Sequence, residues 1–399
     1  MLSLSIAVLF FLTIFNYIIG RDVAYPPFIQ SVLWLTLLSA FSVFETDFYQ
    51  TTDVVFLGVM LASVGFTAGG LLSCTMQRKD ARRLEIIPSE RYLHLLNFLF
   101  LLALAALPAF LWRLLTIAGY DLSADFFYRL REELVRDDGA NMFGIGYYFY
   151  FCSLVFILRY IAQNSLKSGS TLIYLLLPLA VSILFVAKGF ALFILSSTLG
   201  ITLIKGNNSP IKSIAVASAI TLLVFLALIL VRSTDSNQLL ESTLETVKIY
   251  SLAGLPALSE LTKNGLEGGG ENVFRNILVW LNRVGIGNAA PPLVQSFVHV
   301  PYGTNVFTYL RPYLIDFGLL GVCAFNVLLG FIHGLSFLKA RKGSAFHIAL
   351  YALLCYPLIM QFFDDQYFQI LSLWIYFTIF LAIFFGIAPY RTIHHNERK

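Results

Sequence analysis

Residues 2–19 read LSLSIAVLFFLTIFNYII, an unbroken apolar run without a charged side chain. A helix needs about 20 such residues to cross the hydrocarbon core of a bilayer. Further apolar runs follow at 27–44, 54–74, 93–118, 143–163, 171–187, 189–204, 213–231, 313–338, 347–361 and 367–388. Only helices satisfy their own backbone hydrogen bonds in lipid, so the sequence predicts an all-α polytopic membrane protein with about eleven transmembrane helices.

The overall composition supports this class. The 399 residues are 58% hydrophobic and 13% charged, whereas soluble domains have about 45–50% apolar and about 25% charged residues. A soluble fold of this length could not cover so much apolar surface with polar groups. The first run has neither a basic segment before it nor a small-residue cleavage site, so it is expected to remain as a span. We expect a single integral membrane domain over residues 1–399.

Charged residues predict how the chain is threaded. The polar loop 75–92 is rich in basic residues, namely Arg78, Lys79, Arg82, Arg83 and Arg91. Short basic loops stay on the cytoplasmic side, which places the N-terminus outside and the C-terminus inside. Two outer segments, 120–142 and 232–311, are then longer than simple connections need. If the protein carries out chemistry, these outer segments provide the residues for it.

The first outer segment contains an amphipathic helical pattern over Asp121–Arg136. Its apolar face consists of Phe126, Phe127, Leu130 and Leu134. This face is expected to lie on the bilayer. Its polar flanks carry Arg129, Arg131 and Arg136. These arginines either anchor the helix at lipid headgroups or grip a lipid-linked diphosphate, because a guanidinium matches phosphate oxygens with two parallel hydrogen bonds.

The second outer segment contains three patterns. Residues 236–264 are typical of a helix that is interrupted at Gly254–Pro256. The three glycines at 268–270 predict a flexible break. Residues 271–284 form a second amphipathic pattern with its arginines off the apolar face. A long outer segment of this composition is expected to fold against the membrane.

Several cations lie in or beside the outer segments, where spans meet the outer surface. The cations at the span boundaries are Arg113, Lys188, Arg232 and Arg311, while Arg275 and Arg283 belong to the second amphipathic pattern. Lys188 stands between two apolar runs with almost no loop, so its charge must reach water, a cavity or an anion. The alternatives for Lys188 are an anion-binding role and snorkelling of its ammonium group to the headgroups.

Few proton acceptors are expected on the outer side. His299 is the histidine that falls there, and imidazole is the side chain suited to proton transfer near neutral pH. Asp316 is expected to pair with Arg311 and to orient it, which would weaken Asp316 as a base. We therefore expect His299 to be the more important base. Asp364 and Asp365 are adjacent, but two acids without further ligands do not indicate a metal site.

Several classes of function are disfavoured. No P-loop, GxGxxG, HExxH or GxSxG element occurs in a context that would give it meaning, so nucleotide-driven chemistry is not expected. The cysteines Cys74, Cys152, Cys323 and Cys355 fall in apolar runs and are expected to be small core residues. We expect no cofactor, no bound metal and no nucleic-acid partner.

Residues 305–321 read NVFTYLRPYLIDFGLLG. This stretch resembles the signature at which the long outer loop re-enters the membrane in bacterial oligosaccharide repeat-unit polymerases, the O-antigen polymerase (Wzy) family. Lys188-Gly189 resembles the Arg-Gly turn of that family, with lysine in place of arginine. The first outer helix with its arginines, the number of spans and the long late loop are also similar to the family layout.

The resemblance implies a membrane-embedded glycosyltransferase of GT-C-like architecture in the bacterial inner membrane. Such an enzyme moves the growing glycan from undecaprenyl diphosphate to the next lipid-linked repeat unit in the periplasm, without a nucleotide sugar, and so builds O-antigen or a similar polysaccharide. Membrane lipids, a chain-length regulator and a flippase are the implied partners. The implied diphosphate and glycan ligands are Arg129, Arg131, Arg136, Lys188, Arg232, Arg275, Arg283, Arg311, Asn305 and Tyr309.

Three other functions remain open. Related O-antigen ligases have a histidine just before the matching asparagine, where this chain has Thr304. This departure favours a polymerase over a ligase. A flippase for lipid-linked sugars would have charged residues within its spans and short loops on both faces, whereas charges here cluster outside the spans. A non-catalytic scaffold would not need cations at depth.

Overall fold

The computed structural model describes residues 1–76, 85–120, 126–136, 144–163, 169–184, 188–206, 239–263, 268–287, 289–388 and 391–393, with single positions 209, 212, 215 and 265. The helices are α1 (Leu2–Gly20), α2 (Pro26–Phe44), α3 (Asp53–Thr75), α4 (Glu90–Ile117), α5 (Phe126–Arg136), α6 (Ile145–Ala162), α7 (Gly169–Leu184), α8 (Lys188–Lys205), α9 (Leu239–Leu252), α10 (Gly254–Lys263), α11 (Arg275–Arg283), α12 (Arg311–Arg341), α13 (Ala345–Ile359) and α14 (Leu371–Ile387). The short strands β1 (Glu85–Ile87) and β4 (Arg391–Ile393) pair antiparallel, as do β2 (Val298–His299) and β3 (Gly303–Thr304).

Many of these helices have the length and composition of membrane spans. Within the described part of the chain, 7 helical segments qualify: Leu2–Gly20, Pro26–Asp47, Asp53–Thr75, Glu90–Ile117, Ile145–Ala162, Arg311–Arg341 and Ala345–Phe362. Shorter apolar helices are Gly169–Leu184, Gly189–Lys205 and Leu371–Ile387. The prediction of an all-α polytopic membrane protein is confirmed. The predicted span at 213–231 lies outside the described residues.

The chain divides into two compact units, where the sequence predicts one domain. The first unit comprises Met1–Ala81, Leu240–Lys339 and Leu354–Ile379. The second comprises Arg82–Leu239, Ala340–Leu353 and Phe380–Lys399. The first unit therefore contains the second outer segment from residue 240 onward. The second unit contains the first outer segment and Lys188.

In the first unit, α3 and α12 approach each other closely through glycines. A Cβ atom at Gly69 would lie 2.6 Å from the backbone nitrogen of Phe331, and a Cβ at Gly330 would lie 2.7 Å from the carbonyl carbon of Phe66. Small residues at such crossings let helix backbones pack in lipid, where the hydrophobic effect gives no drive for association. This contact fixes α12, which carries the candidate site at its start.

A kink sets the first residues of α12 apart from the rest. The helix begins at Arg311-Pro312, and proline suits the first turn because its missing N–H is not needed there. Gly318 is not helical, with φ 64° and ψ −159°. A side chain at this position would be strained. Residues 311–317 thus form a separate N-terminal arm, which carries Arg311 and Asp316.

Both outer segments contain helices where the sequence predicts them, but the apolar face of α5 is covered differently from the prediction. Leu130 and Leu134 of α5 are only 1% and 3% exposed, because α5 packs against α4. Protein rather than lipid covers this part of the helix, contrary to expectation. On α11, by contrast, Ile277 and Leu281 are 38% and 37% exposed. The predicted interruption near Gly254 is confirmed by the break between α9 and α10.

Candidate functional site

Arg311, the first residue of α12, is a buried cation with unused hydrogen-bond donors. It is 7% exposed, and its Nη2 donates to Asn272 Oδ1 at 3.3 Å and to Gln295 Oε1. Its Cζ lies 5.7 Å from the centre of the Phe307 ring. Nε and Nη1 have no hydrogen-bond partner, and no carboxylate of the described residues forms an ion pair with Arg311. A buried charge without a counter-ion is costly, so this position favours an anion.

Asn272 connects Arg311 to Asp316. Its Oδ1 accepts from Arg311, and its Nδ2 donates to Asp316 Oδ1 at 2.7 Å. Asp316 Oδ2 accepts from the backbone N–H of Val273 at 2.7 Å. The predicted ion pair between Asp316 and Arg311 is therefore wrong, because donors from the loop before α11 occupy both carboxylate oxygens. Asp316 holds this loop in place, and together with Asp364 it acts on Arg311 electrostatically without a direct ion pair.

Gly268 lets the same loop lie directly against Asp316. A Cβ atom at Gly268 would lie 2.8 Å from Asp316 Cα and 2.9 Å from the carbonyl oxygen of Ile315, and closer still to Asp316 Oδ1. A Cβ atom at Gly269, by contrast, would meet nothing within 4 Å. Gly268 is thus a point of tight packing within the stretch that the sequence predicts to be a flexible break.

We expect Gly268→Ala to destabilise the first unit, whereas Gly269→Ala leaves it unchanged. The added methyl group at 268 must displace either the loop or Asp316, and overpacking of this kind costs about 1–3 kcal/mol. The measurement is thermal unfolding of the two purified variants in the same detergent. Equal melting temperatures for both variants would show that the loop adapts without strain.

Asp365, in the turn between α13 and α14, is fully buried and fully hydrogen-bonded. Its Oδ1 accepts from Tyr313 Oη at 2.9 Å and from the backbone N–H of Tyr367 at 3.0 Å. Its Oδ2 accepts from the backbone N–H groups of Phe368 and Gln369, both at 3.1 Å. Asp365 therefore fixes the turn. Among the described residues, no group of three or more His, Cys, Asp or Glu side chains could hold a metal ion.

Asp364, on the same turn, is partly exposed and interacts electrostatically with Arg311. Its Oδ1 accepts from the backbone N–H of Asp365 at 2.8 Å. Loss of hydration and the neighbouring Asp365 raise the pKa of Asp364 to about 7, and Arg311 opposes this rise. Loss of hydration also raises the pKa of Asp365 to about 6, against the hydrogen bonds from Tyr313 and the backbone. The turn thus presents a carboxylate that titrates near neutral pH.

Polar side chains also pair in the interior of the first unit. The pairs are Trp34–Gln361, Tyr309–Asn326 and His333–Tyr367, with distances of 2.9, 2.7 and 3.0 Å. Tyr309, which the resemblance implies as a glycan contact, is completely buried, and its hydroxyl donates to Asn326 Oδ1. These pairs were not predicted, because a lone polar residue in an apolar run does not reveal its partner.

The other predicted residues of the first unit lie at different depths. His299 is exposed on β2, and Asn305 is half-buried just after β3. Arg283 is exposed in the last turn of α11. Arg275 donates from Nε to the carbonyl oxygen of Pro291 at 2.7 Å. The polar surroundings of Arg311 are instead Asn272, Gln295 and Asp364.

The second unit carries the remaining predicted cations. Arg129 is half-buried on α5, while the side chains of Arg131, Arg136 and Lys188 and the whole of Arg232 lie outside the described residues. Helix α8 begins at Lys188, so Lys188 and Gly189, which the sequence predicts as a turn, are its first residues. Arg113 lines an open groove of about 300 Å³ between α4 and α6. The groove is otherwise mostly apolar.

The first unit thus combines a guanidinium that lacks an anion with a carboxylate that titrates near neutral pH. Comparisons with protein-family models, characterised proteins and solved structures find no match for this chain. Chemically, the guanidinium can bind and stabilise a negatively charged group. The carboxylate of Asp364 can accept a proton near neutral pH.

Proposed function

We propose that the protein is a membrane glycosyltransferase that joins oligosaccharide repeat units carried on polyprenyl diphosphate. The observation that carries this proposal is the buried Arg311, whose Nε and Nη1 lack partners. A diphosphate supplies both the negative charge and the acceptor oxygens that these two donors lack. The similarity of residues 305–321 to the repeat-unit polymerases supports the choice of a sugar-linked diphosphate over other anions.

The proposal includes a place and an orientation for the enzyme. The chain crosses the bacterial inner membrane about eleven times in a GT-C-like architecture, with helices of about 20 residues. Its N-terminus is periplasmic and its C-terminus is cytoplasmic, because loop 75–92 is basic. The product is O-antigen or a similar surface polysaccharide. A flippase delivers the lipid-linked units, and a chain-length regulator acts on the product.

The geometry around Arg311 suits the departure of a diphosphate. When the bond between the anomeric carbon and the diphosphate oxygen breaks, negative charge develops on the leaving group. A guanidinium already held by Asn272 and Gln295 stabilises this charge without having to reorganise. Asp316 acts as a positioning residue, since it holds Asn272. The other proposed diphosphate or glycan contacts in the first unit are Arg275, Arg283 and Asn305.

Deletion of the gene tests the proposed function directly. We expect cells to lose long surface polysaccharide and to retain the product that carries a single repeat unit. The measurement is electrophoresis of the extracted polysaccharide, with restoration by the wild-type gene as a control. Loss of every repeat unit would instead identify a flippase. Accumulation of free polymer that is not attached to its lipid acceptor would identify a ligase.

A further inference from the structure

The carboxylates near Arg311 differ in exposure and in how many hydrogen bonds their oxygens already accept. Asp316 has one strong donor on each oxygen. Asp365 is completely buried and accepts four hydrogen bonds. Asp364 accepts from the backbone N–H of Asp365 through Oδ1 alone and is partly exposed. Among these three acids, Asp364 therefore combines access to a ligand with an oxygen that is free to accept a proton.

We propose that Asp364 is the general base that takes the proton from the acceptor sugar hydroxyl during glycan transfer. This inference rests on the proposed function, and it assigns a second chemical role to the site of Arg311. Hydrogen bonds from Tyr309 to Gln361 and from Tyr313 to Asp365 hold the turn of Asp364 against the segment that contains Arg311, and the charges of the two side chains interact. An anion bound at Arg311 and a hydroxyl bound at Asp364 would therefore be neighbours within the first unit.

The bonds in the proposed step balance without a cofactor. The acceptor hydroxyl oxygen attacks the anomeric carbon of the donor glycan, and a new glycosidic bond forms. The bond between that carbon and the diphosphate breaks, and its electron pair leaves on the diphosphate oxygen beside Arg311. The hydroxyl proton moves to the carboxylate of Asp364, which later releases it to water. Nothing is oxidised or reduced.

The turn that carries Asp364 is held rigidly, as a general base requires. Asp365 binds three backbone N–H groups within the turn and the Tyr313 hydroxyl of α12. Gln361 accepts from the backbone N–H of Tyr309 through its carbonyl oxygen at 2.9 Å. The turn is therefore fixed to the segment that leads into Arg311, so Asp364 and Arg311 keep their relative positions.

The electrostatic surroundings of Asp364 suit this role. Asp365 on the same turn raises the pKa of Asp364, and Arg311 on α12 lowers it. Together with the loss of hydration, these charges give Asp364 a pKa of about 7. A base is most effective when its pKa lies near the working pH. Below that pKa the carboxylate is protonated and cannot act as a base, so the rate should rise with pH and level off above it.

The sequence predicts His299, rather than Asp364, as the more important base. It is exposed on β2, and no contact with Arg311 or with Asp364 is found for it in the part of the chain that the structure describes. A base must lie within hydrogen-bond reach of the hydroxyl that attacks beside the leaving group. Asp364 meets this requirement through its proximity to Arg311, so we assign the role to Asp364.

The test compares single-turnover glycan transfer by purified Asp364→Asn, Asp364→Glu and wild-type protein in nanodiscs. The probe is the lipid-linked repeat unit extracted from a strain that lacks the gene. We expect Asp364→Asn to slow transfer by about 10²–10⁴-fold, the usual contribution of a general base. Its binding of the probe should change little, because Arg311 is intact. Glu260→Gln is the control, since it removes a partly exposed carboxylate of the same unit, one that pairs with Lys263.

The pH dependence of the transfer rate is a second measurement. If Asp364 had a purely structural role, its substitution would leave this dependence unchanged. The wild-type rate should rise with pH and level off near pH 7, while the residual rate of Asp364→Asn should lose this rise. If Asp364→Asn does not fold, Asp364→Glu provides the test. Its carboxylate is displaced but still present, so the rate should be lower than that of the wild type and should still rise with pH. Wild-type rate and profile in either variant, or an inactive His299→Ala beside an active Asp364→Asn, would overturn the assignment. Failure of the wild-type protein to transfer the probe would instead overturn the proposed function.

Discussion

Arg311→Lys is expected to abolish long polymer although it keeps the positive charge. A lysine ammonium donates from a single nitrogen, so it cannot keep the bonds to Asn272 and Gln295 and also donate to an anion where Nε and Nη1 of Arg311 lack partners. Loss of a fixed donor to a developing oxyanion slows an enzyme by about 10²–10³-fold. The measurement is polysaccharide chain length in cells that carry the variant in place of the wild-type gene.

Two further variants separate binding from general damage. Arg21→Lys makes the same chemical change at an exposed position after α1, and it should leave chain length unchanged. Arg311→Leu removes the charge and should fold at least as well as the wild type, because a buried and unpaired cation opposes folding. Polymer of normal length from Arg311→Lys cells at normal protein level would remove Arg311 from the site.

The spans could be predicted from sequence because the signal is local. An apolar run such as 2–19 contains everything that its helix requires, and α1 covers Leu2–Gly20. The residues that cover a helix, by contrast, come from elsewhere in the chain and cannot be read from the helix's own sequence. Leu134 was expected to face lipid, but α4 lies there, and nothing in residues 121–136 reveals that neighbour.

The candidate site could be predicted only in part. The signature at 305–321 identified Arg311, but its partners come from distant parts of the chain, namely Asn272, Gln295 and Asp364. The predicted pair of Arg311 and Asp316 also overlooked helical geometry. Neighbours on one helix face are three or four residues apart, and these two are separated by five. Asp316 instead meets a loop that the sequence predicts only as a glycine-rich break.

The second large effect is expected from Asn272→Asp, which preserves the size of the side chain. The new carboxylate would lie where Oδ1 of Asn272 accepts from Arg311, so it would neutralise the cation that is proposed to bind the diphosphate. It would also replace the donor to Asp316 Oδ1 with a negatively charged oxygen. Hydrogen bonds to a charged group contribute about 1.5–3 kcal/mol, so binding of the lipid-linked donor should weaken by about 10–100-fold.

The same variant should show a stronger pH dependence of donor binding than the wild type, in which Asp364 also titrates beside Arg311. Two carboxylates in contact cannot both ionise easily, so one of them has a raised pKa. As the pH falls through that pKa, the pair gains a proton, which restores a donor between the two side chains and removes the extra charge beside Arg311. Donor binding should therefore recover at low pH. Asn282→Asp adds the same charge at an exposed position on α11 and should bind the donor normally at every pH. If the two variants bind the lipid-linked repeat unit equally well, the free donors of Arg311 are not the anion site, and the diphosphate must be held elsewhere.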